Sequence, residues 1–323
     1  MRRREFITLL GGAAVTWPLA TRAQQVSKGP TIGFLHGSGS QETAAAFIEG
    51  LRDVGYIDGV TSRVESRTYG TRLDRLSGFA DELVRLQCNV ILATSAYAIK
   101  ATMNATSTIP IVGVDLESDP VANGWVKSLS RPGGNLTGVF LDIPELSGKQ
   151  IELLKETVPT LGRLGVIWDS TIGSTQFRAT EAAARAIGIE LQSLPIQSSS
   201  DFNNAFDRAE SKGVDGIVVL SSPVVFGERV RIAELALKAR LPTISLFTLF
   251  PRSGGLMAYG PNLSAMFKRA AFNVDRIIKG AKVEDIPIER PSRFDLVINL
   301  KTAKGLGLTV PPIVLARAEE VIE

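Results

Sequence analysis

One order of elements is written twice in this chain, about 130 residues apart. Gly55 matches Gly188, Asn89 matches Asp215, Ser95 matches Ser221 and Pro110 matches Pro242, at offsets of 133, 126, 126 and 132 residues. In both copies short Val- and Ile-rich runs alternate with amphipathic helical stretches, the pattern of a parallel α/β sheet. The first copy predicts strands over 31–35, 62–67, 90–93 and 111–114, with helices over 42–54 and 72–86 and a third opening at Thr94-Ser95. The second predicts strands over 164–168, 190–194, 216–220 and 243–246, with helices over 175–186 and 201–212. So long an offset marks a duplicated domain, since solenoid repeats run about 20 to 50 residues. Two open sheets in one chain imply two lobes. Such sheets bind ligands outside the carboxyl ends of their strands, so two sets of strand-end loops should surround one cleft.

Ahead of the first strand, Arg2, Arg3, Arg4, Glu5 and Phe6 give the Arg-Arg-x-Phe core of a twin-arginine signal. A modest apolar stretch follows over 7–20, and the small residues Thr21 and Ala23 precede Gln24. A charged start, a short apolar middle and a small-residue end define a cleavable export signal, here 1–23. The apolar part is shorter than the roughly 20 residues a membrane span needs. No cysteine stands near the cut to carry a lipid, so the expected product is periplasmic, without stable membrane insertion. The leader holds four of the 36 basic residues and one of the 33 acidic ones, which leaves 32 of each in the mature chain. That balance argues against nucleic acid as a partner, because phosphate binding needs clustered Lys and Arg. Cys88 is the only cysteine. It permits no intrachain disulfide and, at the entry to an apolar strand, reads as a small packed hydrophobe.

The tail does not make a third copy: a strand over 255–259, a helix over 263–279 and a strand over 295–298 follow. Here the sequence resembles a known family. Thr108-Ile109-Pro110-Ile111-Val112, the Ser-Arg-Pro-Gly-Gly-Asn-Leu-Thr-Gly run over 130–138 and the Lys-Gln-Ile-Glu-Leu-Leu-Lys run over 149–155 carry the resemblance in the first half. Gly-Gly-Leu-Met-Ala-Tyr-Gly-Pro-Asn over 254–262 and Leu-Val-Ile-Asn-Leu-Lys-Thr-Ala over 296–303 extend it to the end. These stretches are similar to periplasmic substrate-binding proteins of ABC importers, most of all to the tryptophan- and tyrosine-type aromatic amino-acid binders. The resemblance implies a two-lobed α/β fold of the type I-like kind with three crossovers, each lobe an open parallel sheet flanked by helices. The expected division is 30–143 plus 248–286 for the N-terminal lobe and 144–247 plus 287–323 for the C-terminal lobe. Hinges would lie near Asp142, Phe247 and Pro287.

The residues offer little to an enzyme. His36 is the only histidine, and neither a Gly-x-Ser-x-Gly elbow nor a Gly-x4-Gly-Lys-Ser/Thr loop is present. Gly37-Ser38-Gly39 would need its third glycine at position 42, where Glu42 would repel a pyrophosphate. Asp115, Glu117, Asp119 and Asp142 fit no calcium loop, so neither a metal nor a cofactor is expected. What remains is a binding cleft. Thr94, Ser95 and Ala96 at one strand end, with Ser38 on the opening loop, could hold a carboxylate through hydroxyls and free amides. Ser221 and Ser222 are the equivalents in the other lobe, and all the hydroxyls could equally be ordinary N-caps. Asp115 or Asp142 would take an ammonium group, since a buried charge must be paired. Tyr97, Trp168, Phe226 and Phe247 would meet an apolar side chain, though each aromatic could instead be core; Asp169, which opens the loop after Trp168, is a further ligand-binding candidate.

The function these features predict is capture of a small organic solute, an amino acid or related carboxylate with an aromatic one in view. A monomeric binding protein would hand it to an inner-membrane ABC permease. A periplasmic sensor of the same fold is the alternative. A transcriptional regulator would need a basic DNA-binding domain ahead of Thr31, where only a short linker lies.

Overall fold

The computed structural model describes residues 29–37, 41–70, 72–141 and 143–323. The proposed leader, Ser38 and Asp142 lie outside them. The first copy of the repeat forms β1 (Thr31–Gly37), α1 (Gln41–Asp53), β2 (Arg63–Gly70), α2 (Leu76–Arg85), β3 (Val90–Thr94), α3 (Ala96–Ala105) and β4 (Ile111–Asp115), and β5 (Leu136–Phe140) completes its sheet. After α4 (Ile143–Thr157) the second copy gives β6 (Arg163–Asp169), α5 (Thr175–Ala186), β7 (Glu190–Ile196), α6 (Phe202–Ser211), β8 (Gly216–Val219), α7 (Pro223–Gly227), α8 (Arg229–Lys238) and β9 (Thr243–Ser245). The tail adds α9 (Leu249–Arg252), β10 (Met257–Pro261), α10 (Leu263–Ile278), β11 (Phe294–Asn299), α11 (Leu300–Gly305), α12 (Pro312–Leu315) and β12 (Glu320–Ile322).

The first sheet has the order β2-β1-β3-β4-β5, all parallel. The second has the order β12-β11-β10-β9-β8-β6-β7 and is parallel except where β10 meets β11. Central strands are buried on both faces, as parallel sheets require. Residues 90–93 and 216–219 are enclosed along their whole length.

The repeated residues perform the same backbone task twice. Asn89 Oδ1 accepts the amide of Thr31 at 2.8 Å and Asp215 Oδ2 accepts that of Arg163 at 2.7 Å, each anchoring the first strand of its copy. The carbonyls of Pro110 and Pro242 accept from Ile91 and Ile217, locking the fourth strand of each copy beside the third. Gly55 and Gly188 end α1 and α5 at φ +96° and +72°, a left-handed turn that glycine makes without a Cβ clash.

The tail divides differently from the sequence expectation, which assigned 248–286 to the first lobe. Within that segment β10 lies in the second sheet, between β9 and β11. Only the four-residue α9 separates β9 from this strand, which pairs parallel to β9 and covers its edge. The return to the first sheet is made by α10, which packs on α1 and on β3, β4 and β5. Ile286 and Ile288 are buried on the first sheet, and Glu289 bridges to Val139 of β5, so the last crossing follows residue 289, beyond Pro287.

Helix α10 reaches α1 closely because Gly50 has no side chain. A Cβ there would stand 2.9 Å from Ala271 Cβ and 3.0 Å from Lys268 Cα. Gly50→Leu should therefore push the two helices apart and cost about 1–3 kcal/mol, the usual penalty of overpacking; urea unfolding at neutral pH measures it, and an unchanged midpoint would contradict the close approach.

Candidate functional site

The carboxyl ends of the two sheets meet at a cavity of about 100 Å³. Gly37, Tyr69, Thr94, Ser95, Val114, Leu116 and Glu117 form its first-sheet side, with Thr43 of α1 and Leu263 and Phe267 of α10. Ser222, Pro223, Phe226 and Phe247 close it from the second sheet. Phe226 and Phe247 meet edge to face, centroids 4.8 Å apart at 77°, and the Arg229 guanidinium lies 4.9 Å from the Phe226 centroid. The wall is mostly apolar, with polar groups at a few points, the usual composition of a small-molecule site.

Ser95 is the most constrained residue in that wall. Its backbone stands at φ +81°, ψ 156°, a region essentially reserved for glycine that costs about 1–3 kcal/mol. Its amide donates to Val114 O at 2.9 Å, and its hydroxyl pairs with Tyr69 Oη at 2.8 Å instead of capping α3. Among the described residues no acceptor meets the first-turn amides of Ala96, Tyr97 and Ala98, so the positive end of α3 is open.

Hydrogen bonds between described side chains join the lobes directly. Ser221 Oγ donates to Glu117 Oε1 at 2.5 Å, and Tyr97 Oη pairs with Thr171 Oγ1 at 2.5 Å. Thr171 itself donates to Asp169 Oδ1 at 2.6 Å, so Tyr97 is the donor across the cleft. Ser221 is held for this by Gln176, whose amide exchanges two bonds with the Ser221 backbone, at 2.9 and 3.0 Å. Glu117 is enclosed, and burial, reinforced by the neighbouring Asp115 carboxyl, holds its own carboxyl well above the usual range.

The chain's affiliation follows from a match over nearly its whole length. Residues 31–322 fit the family model of ABC transporter substrate binding proteins. The chain belongs to that family. A tyrosine-binding protein of Clostridioides difficile is 27% identical over 266 residues, 81% of this chain and 75% of the relative. A conserved domain protein from Vibrio cholerae superposes with a TM-score of 0.86 at 25% identity, over 91% of this chain and 100% of the other. A Streptococcus pneumonia ABC domain in complex with L-Trp gives 0.83 at 24% identity over the same shares. A ligand-free, open substrate-binding protein from Clostridium difficile gives 0.68 at 24% identity, over 91% and 99%. These neighbours share its type I-like periplasmic-binding-protein fold.

Within this family member the residues singled out from sequence fall in several places. Thr94, Ser95, Ser222 and Phe247 line the cavity, as does Phe226. Ser222 also N-caps α7 by accepting from Val225 N. Ser221 bridges the lobes beside the cavity. Asp115 is fully buried next to Glu117, and its Oδ1 accepts the Glu117 amide at 3.2 Å. Ala96 begins α3 one residue beyond the lining, and Asp169 caps the turn that bears Thr171. Trp168 is not brought to the cavity: it stacks on Phe177 at 4.8 Å and donates to Ser193 Oγ on the neighbouring strand. His36 stacks on Phe34 and bonds Ser66 and Thr68 of β2, and burial lowers its pKa. Burial pushes the Cys88 thiol up to about 11, in keeping with a packed residue. Sequence reasoning passed over Tyr69, Thr43, Leu263 and Phe267. Tyr69 ends a strand and was open to the strand-end rule, but no local signal links α10 to this cleft. Among the described residues no group of three or more His, Cys, Asp or Glu could hold a metal, and no helix is long and apolar enough to cross a membrane.

The strain at position 95 makes an inverted ranking: Ser95→Gly should be more stable than Ser95→Ala by about 1–3 kcal/mol, because both lose the Tyr69 bond and only glycine relaxes the backbone. Equal urea midpoints would remove the strain. The Glu117 carboxyl gives a pH signature. A carboxyl held above its unfolded range stabilises the fold at low pH and loses that contribution as pH rises through its folded value. Glu117→Gln, which keeps an acceptor for Ser221 and cannot ionise, should gain stability relative to the natural protein between pH 5 and pH 8. A constant difference across that range would show that Glu117 titrates normally.

Proposed function

We propose that this chain is the solute-capturing component of an ABC importer, exported to the periplasm under its twin-arginine leader, and that it delivers an amino acid with an aromatic or other apolar side chain to a membrane permease. The observation that carries the proposal is the aromatic-lined cavity between two sets of strand ends. Phe226, Phe247, Leu116 and Phe267 offer the apolar part. The open first turn of α3 beside Thr94 and Ser95 suits a carboxylate. The tyrosine-binding relative and the L-Trp complex support this solute class, and the family match favours import over signalling.

Capture would work by hinge closure. The lobes are linked at the cleft by Ser221–Glu117 and Tyr97–Thr171, bonds that an opened form would give up to water. A solute touching both walls binds the closed form better and shifts the population toward it. The residues present bind and enclose, and the reading includes no chemical step.

The mature chain, beginning at Gln24, should show a ligand-dependent rise in melting temperature in a screen of amino acids, aromatic acids, sugars and polyamines. A true ligand at a hundredfold excess over its Kd stabilises the protein by about 2.7 kcal/mol. Phe226→Leu should weaken a hit by about tenfold, consistent with the ~0.5–1.5 kcal/mol that an aromatic pair adds beyond area. No shift with any class of small solute would overturn the transport reading.

A further inference from the structure

Among the described residues the cavity wall carries one carboxyl, that of Glu117, and its chemistry is not that of a lone carboxylate. Asp115 lies two residues earlier at the end of β4 and is fully enclosed. The Asp115 carboxyl turns toward Glu117, whose backbone amide it accepts, so the two acids lie side by side at the end of β4. Asp115 Oδ1 takes the Glu117 amide, while Asp115 Oδ2 is buried and meets no donor among the described residues unless Glu117 provides one. Glu117 Oε1 is occupied by Ser221 from the opposite lobe.

Among the described residues the groups named against the pair bring it no positive charge. Tyr69 faces it from β2, Tyr97 from α3, and Ser221 and Ser222 from the turn after β8. Asp169, which acts on Tyr97 from β6, adds negative charge beyond. On the pair's own segment Asp119 turns to the amides of Val121 and Ala122. Among the described residues no Lys, Arg or His lines the cavity. Two enclosed carboxyls this close do not both ionise without a counter-ion, because each negative charge raises the cost of the other.

We propose that the Asp115–Glu117 pair is the ammonium seat of this cleft and that it holds one shared proton when the cleft is empty, released to solvent when the ligand's protonated amine takes its place. The exchange balances: the pair passes from one negative charge to two, the ammonium keeps its own protons, one proton goes to buffer and no covalent bond changes. The enclosed cation replaces the proton as the neutralising charge. A solute without a cationic nitrogen gains nothing from this exchange, so the pair sets specificity as well as stoichiometry. The inference rests on the reading of the cavity as a solute site.

Matched solutes test it. L-tryptophan, tryptamine and 3-indolepropionate share one ring and differ in their charged groups, as do L-tyrosine, tyramine and 3-(4-hydroxyphenyl)propionate. Titration calorimetry of the mature protein at pH 7, in three buffers of different protonation enthalpy, should show an amine-bearing member of either series binding at least tenfold tighter than its deaminated acid. About one proton should be released per solute bound, and the amine's Kd should rise as pH falls from 8 to 5. Glu117→Gln and Asp115→Asn should each abolish proton release and reduce the preference for the amine toward unity, with thermal unfolding confirming that each variant is folded. Equal binding of amine and deaminated acid, binding without proton release, or a hit from the wider screen that lacks a cationic nitrogen would overturn the inference and leave solute capture standing. Failure of every solute class would overturn both.

Discussion

A parallel sheet must be covered on both faces, and everything distinctive about this protein follows from meeting that requirement twice. Central strands such as β3 and β8 are apolar along their length and have helices on either side. Polar chemistry is thereby driven to the strand ends, where the chain turns from sheet to helix and backbone groups lack partners. Duplication supplies two such rims, and the crossings of the chain set them face to face. Ser95 and Ser221, equivalent in the repeat, both arrive at this junction but with different tasks. One accepts a glycine-like backbone and pairs with Tyr69; the other is pinned by Gln176 and reaches across to Glu117.

The residues that proved readable in sequence are those whose role is local. Asn89 and Asp215, Pro110 and Pro242, and Gly55 and Gly188 each act on backbone within one sheet-building unit, so their spacing survives in the primary sequence. Thr94, Ser95, Ser222 and Phe247 could be placed at the cavity for a similar reason: a strand's end and a helix's start fix them. Trp168 shows where this reasoning fails. Strand position gives proximity to the rim but not the side chain's destination, and here Phe177 and Ser193 draw the indole over the adjoining strand. The tail departs from its sequence expectation on related grounds. Nothing local states that β10 extends the second sheet while α10, starting two residues later, covers the first. Leu263 and Phe267 reach the cleft only through that crossing, which is a tertiary fact.

The cross-lobe bonds set the scale of what a ligand must do. A hydrogen bond between neutral groups contributes about 0.5–1.5 kcal/mol, and one to a charged group about 1.5–3. The exposed Arg252–Glu42 pair at 3.9 Å spans the cleft farther out and belongs to a class worth less than about 1 kcal/mol. Contributions of that size hold two lobes together only marginally once the entropy of opening is set against them. Apolar burial is the larger resource: filling the space between Phe226, Phe247 and Phe267 yields about 25 cal/mol for each Å² withdrawn from water. In the proposed hinge closure, filling the apolar space is thus the larger contribution, and the polar contacts decide by what it is filled.

That division of labour explains why a buried acid can persist in an apolar wall. An isolated carboxylate there would cost several kcal/mol, and a protein that needed only stability would replace it with a hydrophobe. In the proposed pairing Glu117 avoids the cost in the empty cleft by sharing a proton with Asp115 and bonding Ser221. The same arrangement makes ionisation conditional on a cation arriving from outside. Apolar solutes of the right shape can fill the space, but only one that also brings a positive charge converts the acid's desolvation from a penalty into a paired contact. Selectivity in such a cleft comes from a group that is unfavourable alone and favourable in company, placed where the two lobes must agree on the occupant before they close.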